Sequence, residues 1–503
     1  MIFGRRLRFE GACIVTVTNN LLGNTQVKTL SDLHVITHEF DQAFQIILDD
    51  QSVLYVEKII RLIPKVRLVA YGKWNGKPVV AKLFFSKSNA KRHRQKDKIG
   101  VTTLQHCHVP TPELYFDGSN VDKKIQILLF SRVFGAINLG ELFKNKKDIQ
   151  DIFDELKLVV KELATQHVFG IMQNDLHLDN YLVTEKMVYT LDGSQIEIVN
   201  ERLPKKESMR NLALFFSQLG VGKEDAIEKL FYHYVKLRGW LLKPNDVNEL
   251  FLLINQWNNR RWRRFEKKIF RNSTDFFSIK KWWCQGMTRR NHLRKDLHFF
   301  LENPDFFFND NAIFLKRGRS ATVIRVQLDE CDVVIKRYNV KSIWHFLRRF
   351  FRNTRAKESW HLSNKLNLFD IATAKPIAYL EKRFLFFAST SYFISEYVSN
   401  EHLGDYLSHH KNELDEVNQL IKRTSELLKN LAKLEITHGD LKITNILIDA
   451  MLRPILIDLD GACEHFSPSS LHRAWYAEIN RFLENFQSQP EWREKFGKEL
   501  YVI

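Results

Sequence analysis

The sequence predicts an α+β fold of two tandem units, each with a small β-rich N-lobe and a helical C-lobe. Three observations lead to this prediction. Each half of the chain places a lysine, Lys82 or Lys336, inside an apolar, β-prone run. An amphipathic pattern with helical spacing of its apolar residues follows each lysine. A loop of sequence Asp-Leu-x-x-x-Asn comes next, beginning at Asp175 and at Asp440.

Length and composition describe a large globular chain with anionic partners. The 503 residues are 44% hydrophobic and 27% charged, which argues against general disorder. A length of this size allows two to four domains. The formal net charge of +17 favours binding to nucleic acid, an acidic membrane surface or a phosphorylated ligand.

The cysteines and the apolar runs indicate a cytoplasmic protein. Five scattered cysteines form no Cys-x-x-Cys pair, so we expect neither a disulfide framework nor a structural zinc site. No uncharged run approaches eighteen apolar residues, and the N-terminal residues MIFGRRLRFEGA lack the apolar region of a secretory signal.

The stretch Ile436–Ala462 has the most informative chemistry. Asn445 follows Asp440 by five residues and Asp458 follows it by eighteen, next to two apolar β-like runs. Phosphoryl transfer from ATP needs a carboxylate for the acceptor hydroxyl and oxygen ligands for Mg²⁺, in this order and at about this spacing. We interpret Asp440 as the base and the other two residues as metal ligands. The alternative is a hairpin with surface carboxylates.

The same constellation occurs earlier in the chain. Asn180 follows Asp175 by five residues, and Asp192 follows it by seventeen. Because four roles recur in the same order, we predict two similar units in tandem, with Lys82 and Lys336 in matching places. A lysine in an apolar strand is costly unless its ammonium meets an anion, here the ATP phosphates. The alternative is an edge-strand lysine that reaches water.

Two further residues complete the predicted nucleotide site of the second unit. Gly318 lies at an expected turn between strands, where a residue without a side chain lets the backbone approach a phosphate. Glu358, on a helical-looking stretch, is the expected carboxylate partner of Lys336. No firm partner of Lys82 emerges, since the corresponding stretch aligns nearest to Lys96 or Asp97.

We predict four parts of the chain: an unassigned N-terminal extension (1–45), a first unit (46–257), a basic aromatic connector (258–305) and a second unit with a short C-lobe (306–503). The connector interleaves aromatic residues with many cations, among them Trp262, Phe265, Phe270, Trp282 and Trp283. This pattern suits an anionic membrane surface, a phosphorylated glycolipid or nucleic acid. We rank nucleic acid last because no nucleic-acid-binding signature accompanies the pattern. The alternative is a charged connector whose aromatic side chains pack on the neighbouring domain.

These motifs resemble the lipopolysaccharide core kinases, the Kdo/heptose kinase group of Gram-negative bacteria, which share the protein-kinase-like fold. In the first unit the resemblance rests on NDLHLDNYLV, YTLDGSQI and RNLALFFSQL. In the second it rests on LKRGRSATV, VVIKRYNVK, TRAKESW, HGDLKITNIL and LIDLDGA. It covers roughly residues 65–475.

The resemblance implies ATP- and Mg²⁺-dependent phosphorylation of a sugar hydroxyl, on heptose or Kdo, at the cytoplasmic face of the inner membrane. The acceptor would be the lipopolysaccharide core glycolipid or another phosphate-rich molecule, with peripheral contact to an anionic membrane surface. Carried over by residue, Lys336 would hold the phosphates, Asp440 would act as base, and Asn445 and Asp458 would bind metal. The corresponding set in the first unit is Lys82, Asp175, Asn180 and Asp192.

The sequence departs from the pattern in two places. Lys442 gives Asp-Leu-Lys, the form found in serine/threonine protein kinases, where that lysine assists the γ-phosphate; His177 occupies the place in the first unit. Gln173 and Asn174 stand where the second unit has His-Gly. Either unit could therefore be a pseudokinase.

Three functions remain open from the sequence. A sugar kinase is favoured because 45 residues follow Asp458 and contain no Ala-Pro-Glu segment, which leaves little room for a peptide-docking lobe. A serine/threonine protein kinase is the second hypothesis, supported by Lys442. The third is a tandem pseudokinase that acts as a scaffold in envelope assembly.

Overall fold

The structure, a computed structural model, describes residues 27–35, 43–145, 148–199, 201–309, 312–339, 353–384 and 387–501. Most of the predicted N-terminal extension, including its β-prone run at 13–19, lies outside these ranges. The chain forms two compact units. The N-terminal unit comprises Met1–Ile99 with Pro112–Phe134, and the C-terminal unit comprises Gly100–Thr111 with Gly135–Ile503.

The described part of the N-terminal unit is built on an antiparallel sheet. Its strands are β1 (Phe44–Ile47), β2 (Val53–Ile63), β3 (Arg67–Trp74), β4 (Lys77–Phe84), β5 (Leu114–Ser119) and β6 (Gln126–Ser131), in the order β1-β2-β3-β4-β6-β5. Asn75-Gly76 between two apolar runs predicts a β-hairpin, and the structure confirms it: β3 pairs with β4 around these two residues, which both have positive φ angles. This geometry is the two-residue turn that Asn-Gly favours.

Among the described residues of this unit, two helices begin: α1 (Leu30–Val35) and α2 (Ala90–His106). The basic stretch KSNAKRHRQKDK predicts a helix, which α2 confirms, although α2 continues past the unit boundary at Ile99.

The C-terminal unit begins with a helical part that follows the first predicted N-lobe. Its helices are α3 (Leu139–Asn145), α4 (Phe153–Val168), α5 (Lys205–Phe216), α6 (Glu224–Arg238) and α7 (Asp246–Ile269). Short strands alternate with them: β7 (Ile137–Asn138), β8 (Ile171–Gln173), β9 (Tyr181–Val183), β10 (Val188–Thr190) and β11 (Ile196–Ile198). The amphipathic pattern that follows Lys82 spans 148–167 and predicts a helix there. The structure has a 3₁₀ turn and α4 over these residues, and the buried face of α4 packs on α6.

A second antiparallel sheet follows in the same unit. Its strands are β12 (Phe276–Lys281), β13 (Cys284–Arg289), β14 (Ile313–Arg317), β15 (Ala321–Leu328), β16 (Cys331–Tyr338), β17 (Pro376–Phe384) and β18 (Phe387–Glu396). Their order in the described chain is β12-β13-β17-β18-β16-β15-β14. The structure therefore differs from the predicted connector, because two strands from 258–305 join the sheet of the second half.

The remaining elements are mostly helical. The helices are α8 (Lys295–Glu302), α9 (Arg355–Leu368), α10 (Leu403–His409), α11 (Leu414–Lys433), α12 (Pro468–Glu484) and α13 (Pro490–Leu500). The short strands are β19 (Glu401–His402), β20 (Ile436–Thr437), β21 (Ile446–Ile448), β22 (Pro454–Leu456) and β23 (Cys463–Glu464). Within the ranges given above, no helix combines the length and the apolar character needed to cross a bilayer.

Three aromatic residues of the predicted connector pack against neighbouring elements. This is the alternative in which the connector is charged and its aromatic side chains have a packing role. Trp262 lies on α7 and its ring centroid is 5.0 Å from that of His361 on α9. Phe265 and Phe270 pack in the same cluster, which centres on the fully buried Trp360 of α9. The Trp360 indole donates a hydrogen bond to the Ile269 carbonyl at the end of α7, at 3.2 Å. The last helix of the first half thus holds α9 of the second half.

We expect Trp360→Ala to lower the free energy of unfolding by about 3–5 kcal/mol, because it leaves a cavity and an unpaired carbonyl between α7 and α9. Trp282→Ala is the matched control: Trp282 is 89% exposed, and such surface changes cost at most about 0.5 kcal/mol. Urea unfolding followed by circular dichroism would measure both. Equal effects of the two substitutions would contradict the buried position of Trp360.

Candidate active site

Lys336 lies on β16, paired with Val323 of β15 and Phe393 of β18. Its side chain is only 12% exposed, so its ammonium loses most of its water. Removing a charge from water costs several kcal/mol unless close partners compensate. Lys336 Nζ has two, since it forms ion pairs with Asp458 Oδ1 at 2.5 Å and with Asp460.

Two loops carry the predicted catalytic and metal-binding residues, the His438 loop (438–445) and the Asp458 loop (457–461). His438 is buried, and its Nε2 donates to the Ile457 carbonyl at 2.9 Å. The Ile457 amide in turn donates to the Asn445 carbonyl at 3.0 Å. Asn445 Nδ2 donates to the Asp440 carbonyl at 2.8 Å. These bonds fix Asp440 and Asn445 relative to Asp458.

Two glycines allow the loops to touch. Gly439 has a φ of +78°, in the left-handed region that favours glycine. A Cβ atom at this position would collide with the carbonyl oxygen of Gly461 in the other loop. The backbones therefore approach each other more closely than any side chain would permit.

Asp458 has the left-handed backbone conformation, with φ 60° and ψ 58°. For a residue with a side chain this costs about 1–3 kcal/mol, and such strain concentrates at functional sites. Burial opposes ionisation of its carboxyl, but the Lys336 ammonium outweighs burial and lowers the pKa of Asp458. The carboxylate is therefore charged at neutral pH, as a ligand of a divalent cation must be.

Asp440 and Lys442 lie at the open side of the His438 loop. Their side chains are 51% and 55% exposed, and Lys442 Nζ lies 2.7 Å from Asp440 Oδ1. Exposure leaves the Asp440 carboxylate accessible to an acceptor hydroxyl. In this arrangement Asp440 can act as a base and the ammonium of Lys442 can bind a phosphate oxygen.

Sequence reasoning did not find Glu478, which anchors the His438 loop from α12. This carboxylate is 1% exposed and accepts hydrogen bonds from the backbone amides of His438, at 2.9 Å, and Gly439. A buried carboxylate with two amide donors is a strong, directional anchor. Glu478 lies forty residues after His438 in the sequence. No local sequence pattern connects the two residues, so the contact could not be predicted.

Asp460 was also missed, although it stands two residues after Asp458. Tyr338 donates its hydroxyl to Asp460 Oδ1, and Ser359 Oγ lies 3.4 Å from the same oxygen. Asp460 Oδ2 pairs with Lys336. Burial raises the pKa of Asp460 although Lys336 lowers it, and the charge of Asp458 adds to the rise. The second acidic residue in LIDLDGA was the available signal.

A cavity of about 580 Å³ opens between the seven-stranded sheet and the two loops. Lys336, Asn445 and Asp458 line it, together with apolar side chains such as Val323 and Leu447. The volume lies within the range of small-molecule sites, and the mixture of apolar walls with a few convergent charges is typical of them. The cavity thus fits a nucleotide, and its oxygen donors fit Mg²⁺.

The structure places Gly318 and Glu358 differently from the site expectation. Gly318 follows β14 and donates its amide to the Ala321 carbonyl at 3.0 Å, so it forms the predicted turn, while Lys316 rather than Gly318 lines the cavity. Glu358 lies on α9, but the residues of α9 that face the cavity are Ser359 and Ser363. The ion pairs of Lys336 run to the Asp458 loop instead of to Glu358.

Helix α9 nevertheless contacts the chain just after the Asp458 loop. Glu464 accepts from His361 Nε2 at 3.3 Å and pairs with Lys365 at 3.0 Å. Burial alone would raise the pKa of Glu464, but the hydrogen bond from His361 and the charge of Lys365 lower it to about 2. His361 Nδ1 also lies 3.6 Å from Glu266 of α7. A chain of polar contacts therefore connects α7, α9 and the end of the loop.

In the N-terminal unit, Lys82 has a carboxylate partner. Lys82 lies on β4, and its Nζ pairs at 2.8 Å with Asp97 of α2, whose side chain is 1% exposed. The sequence had left Lys96 and Asp97 as the nearest candidates. The structure assigns the ion pair to Asp97.

In the C-terminal unit, the first-half loops repeat part of the second-half geometry. Asn180 Nδ2 donates to the Asp175 carbonyl at 2.9 Å, and the Leu191 amide donates to the Asn180 carbonyl at 2.9 Å. The next residue differs, since Asp192 lacks the left-handed backbone of Asp458 and accepts the Ser194 amide at 2.9 Å.

The residues around these first-half loops also differ. Gln173 replaces the histidine of the second half, and its Nε2 donates to Gln166 Oε1 at 2.7 Å. Gly100 of α2 lies so close to Gly193 that a Cβ on Gly100 would collide with the Gly193 carbonyl. The loop after Asp192 is therefore packed directly against this helix.

Comparison with known families gives one match. Residues 315–496 match the model of the lipopolysaccharide kinase (Kdo/WaaP) family. This part of the chain is therefore similar to that family, whose members are ATP-dependent phosphotransferases. The match covers the cavity and both second-half loops and leaves the first half unmatched. No curated protein was found as a relative of the chain.

We expect Gly439→Ala to lower the thermal unfolding temperature, because a methyl group there meets the Gly461 carbonyl and a φ of +78° is strained for alanine. Gly497→Ala is the matched control. Gly497 lies inside α13, its Cβ would meet no atom closer than 3.7 Å, and alanine favours a helix by about 1 kcal/mol over glycine. Differential scanning fluorimetry should show opposite shifts; an unfolding temperature that Gly439→Ala leaves unchanged or raises would contradict the glycine contact.

Proposed function

We propose, from the match of residues 315–496 to the lipopolysaccharide kinase (Kdo/WaaP) family, that the protein transfers phosphate from ATP to a sugar hydroxyl of the lipopolysaccharide core. The acceptor sugar is a heptose or Kdo. The observation that carries this proposal is the joining of Lys336, Asp440, Asn445 and Asp458 through two interlocked loops beside one cavity.

Each residue has a role that follows from its chemistry. The Lys336 ammonium holds the phosphate oxygens of ATP. Asp440 accepts the proton of the sugar hydroxyl as that oxygen attacks the γ-phosphorus, and the bond from phosphorus to the leaving oxygen breaks. Asn445 and Asp458 would hold Mg²⁺, which neutralises charge on the phosphates when bound. Alignment of the reacting groups can supply roughly 7–11 kcal/mol of the barrier.

The second half is the catalytic half in this proposal. The family match covers it alone, and it has the histidine-anchored loop and the strained Asp458. In the first half, Asp192 accepts a local backbone amide and Gln173 replaces the histidine. These differences favour a first half that does not transfer phosphate. Its role in this proposal is structural, because α7 holds α9 in place.

Peripheral contact with an anionic membrane surface is the remaining part of the proposal. The hairpin of β12 and β13 exposes 89% of Trp282 beside the exposed Lys280 and Lys281. Phe299 and Phe306, which are 42% and 60% exposed, line a cavity of about 630 Å³ that Trp283 also lines. Exposed aromatic rings next to lysines suit the interface of an anionic bilayer.

We expect Asp440→Asn to abolish transfer of labelled γ-phosphate from ATP to dephosphorylated lipopolysaccharide core while nucleotide binding persists, because the amide cannot accept the proton. Asp175→Asn is the matched variant in the first half and should keep at least half of the wild-type rate.

A generic protein acceptor is assayed in parallel. Label on protein alone would favour the serine/threonine kinase hypothesis, which the Lys442–Asp440 ion pair supports. Nucleotide binding without any transfer would favour a scaffold, and loss of transfer with Asp175→Asn alone would assign catalysis to the first half.

We expect Trp282→Ala to weaken sedimentation with vesicles that contain an anionic phospholipid several-fold, since the indole no longer enters the interface. Leu241→Ala, at an equally exposed residue (89%) of the first half, is the control. Unchanged binding by Trp282→Ala would exclude the hairpin as the contact.

A further inference from the structure

We propose that Asp460 is the positioning residue that holds Lys336 for ATP, in place of a carboxylate on α9. This inference rests on the proposed kinase function of the second half and identifies a residue that neither the motifs nor the family match assigned. It begins from the two carboxylates that share a single buried ammonium, those of Asp458 and Asp460.

The two carboxylates cannot serve the same purpose. Asp458, the proposed metal ligand, has the strained left-handed backbone, and its Oδ1 pairs with Lys336. If Asp458 held a divalent cation, Lys336 would need another anion to stay in place. Asp460, in the same loop, would supply that anion through the ion pair that it already makes with Lys336.

The carboxylate of Asp460 is oriented for this task. Its Oδ1 accepts the hydroxyl hydrogen of Tyr338, and its Oδ2 faces Lys336 Nζ. Tyr338 lies two residues after Lys336 on β16, so its side chain is on the same face of the sheet. Burial raises the pKa of Tyr338, which keeps the hydroxyl protonated and able to donate. One oxygen is thus fixed by the strand that carries the lysine, and the other binds the lysine.

Helix α9 offers no equivalent carboxylate to the cavity. Where α9 approaches Asp460 it presents the Ser359 hydroxyl, 3.4 Å from Oδ1, and its other cavity residue is Ser363. The ion pairs of Lys336 within the described residues run to Asp458 and Asp460. The position of Lys336 therefore depends on the Asp458 loop and not on a carboxylate of α9.

The test compares Asp460→Asn with Glu358→Gln in the full-length protein. Asn keeps the shape of Asp and can still accept from Tyr338, so it removes the charge without a cavity. We expect Asp460→Asn to raise the KM for ATP about tenfold, the effect of one lost charge-assisted contact, with a smaller change in kcat. Tyr338→Phe should raise KM in the same direction by a smaller factor.

A second measurement needs no nucleotide. Lys336 is labelled in the free protein with an amine-reactive acylating reagent, and its modification rate is followed by mass spectrometry. An ammonium held by one carboxylate instead of two moves more freely and is more accessible to the reagent, so Asp460→Asn should label Lys336 several-fold faster than wild type. Asp415→Asn, which changes an exposed carboxylate of α11, controls for the general loss of negative charge.

The outcomes separate the two proposals. The assignment of Asp460 is overturned if Glu358→Gln raises KM and the labelling rate while Asp460→Asn leaves both within twofold of wild type. It is also overturned if Asp460→Asn and Asp415→Asn label Lys336 at the same rate. A wild-type protein that binds no ATP would instead contradict the proposed function, and the labelling comparison would still decide whether Asp460 holds Lys336.

Discussion

The buried ammonium of Lys336 is the charge around which the second half is arranged. An amine that is 12% exposed inside a sheet requires anions nearby, and both anions come from the five-residue Asp458 loop. That requirement draws the loop against the sheet and brings the His438 loop with it, because the Ile457 backbone is bonded to His438 and Asn445. The cavity between sheet and loops is a consequence of this attraction.

The position of α9 depends on a different kind of interaction. Its inner face packs on aromatic side chains of α7, around Trp360 and Trp262, and its His361 connects Glu266 with Glu464. Apolar packing fixes where the helix lies, and the polar contacts fix its register against the end of the Asp458 loop. A helix held this way needs no ion pair to Lys336 in order to form one wall of the cavity.

Local patterns in the sequence predicted several of the strands and helices and pointed to the residues of the loops, because each pattern is complete within a few residues. The Asn75-Gly76 hairpin and the Asp-Leu-x-x-x-Asn loops are examples. Contacts between distant segments were not predictable in the same way. Glu478 lies forty residues from the loop it anchors, and the strands from the basic connector join their sheet through β17, about ninety residues away. We expected Glu358 on α9 to be the carboxylate partner of Lys336, but the residues of α9 that line the cavity are serines.

The two halves show how the same motif can have different supports. Both place an asparagine amide on the backbone carbonyl of the first aspartate, at 2.9 Å in one half and 2.8 Å in the other. Among the described residues, the carboxylate of Glu478 accepts backbone amides of the second-half loop, whereas in the first half the neutral Asn211 amide donates to the Gln173 carbonyl at 2.6 Å. A neutral amide fixes the backbone but brings no charge to the loop. The motif alone therefore does not determine the electrostatics of its site, which depend on the helices packed behind each loop.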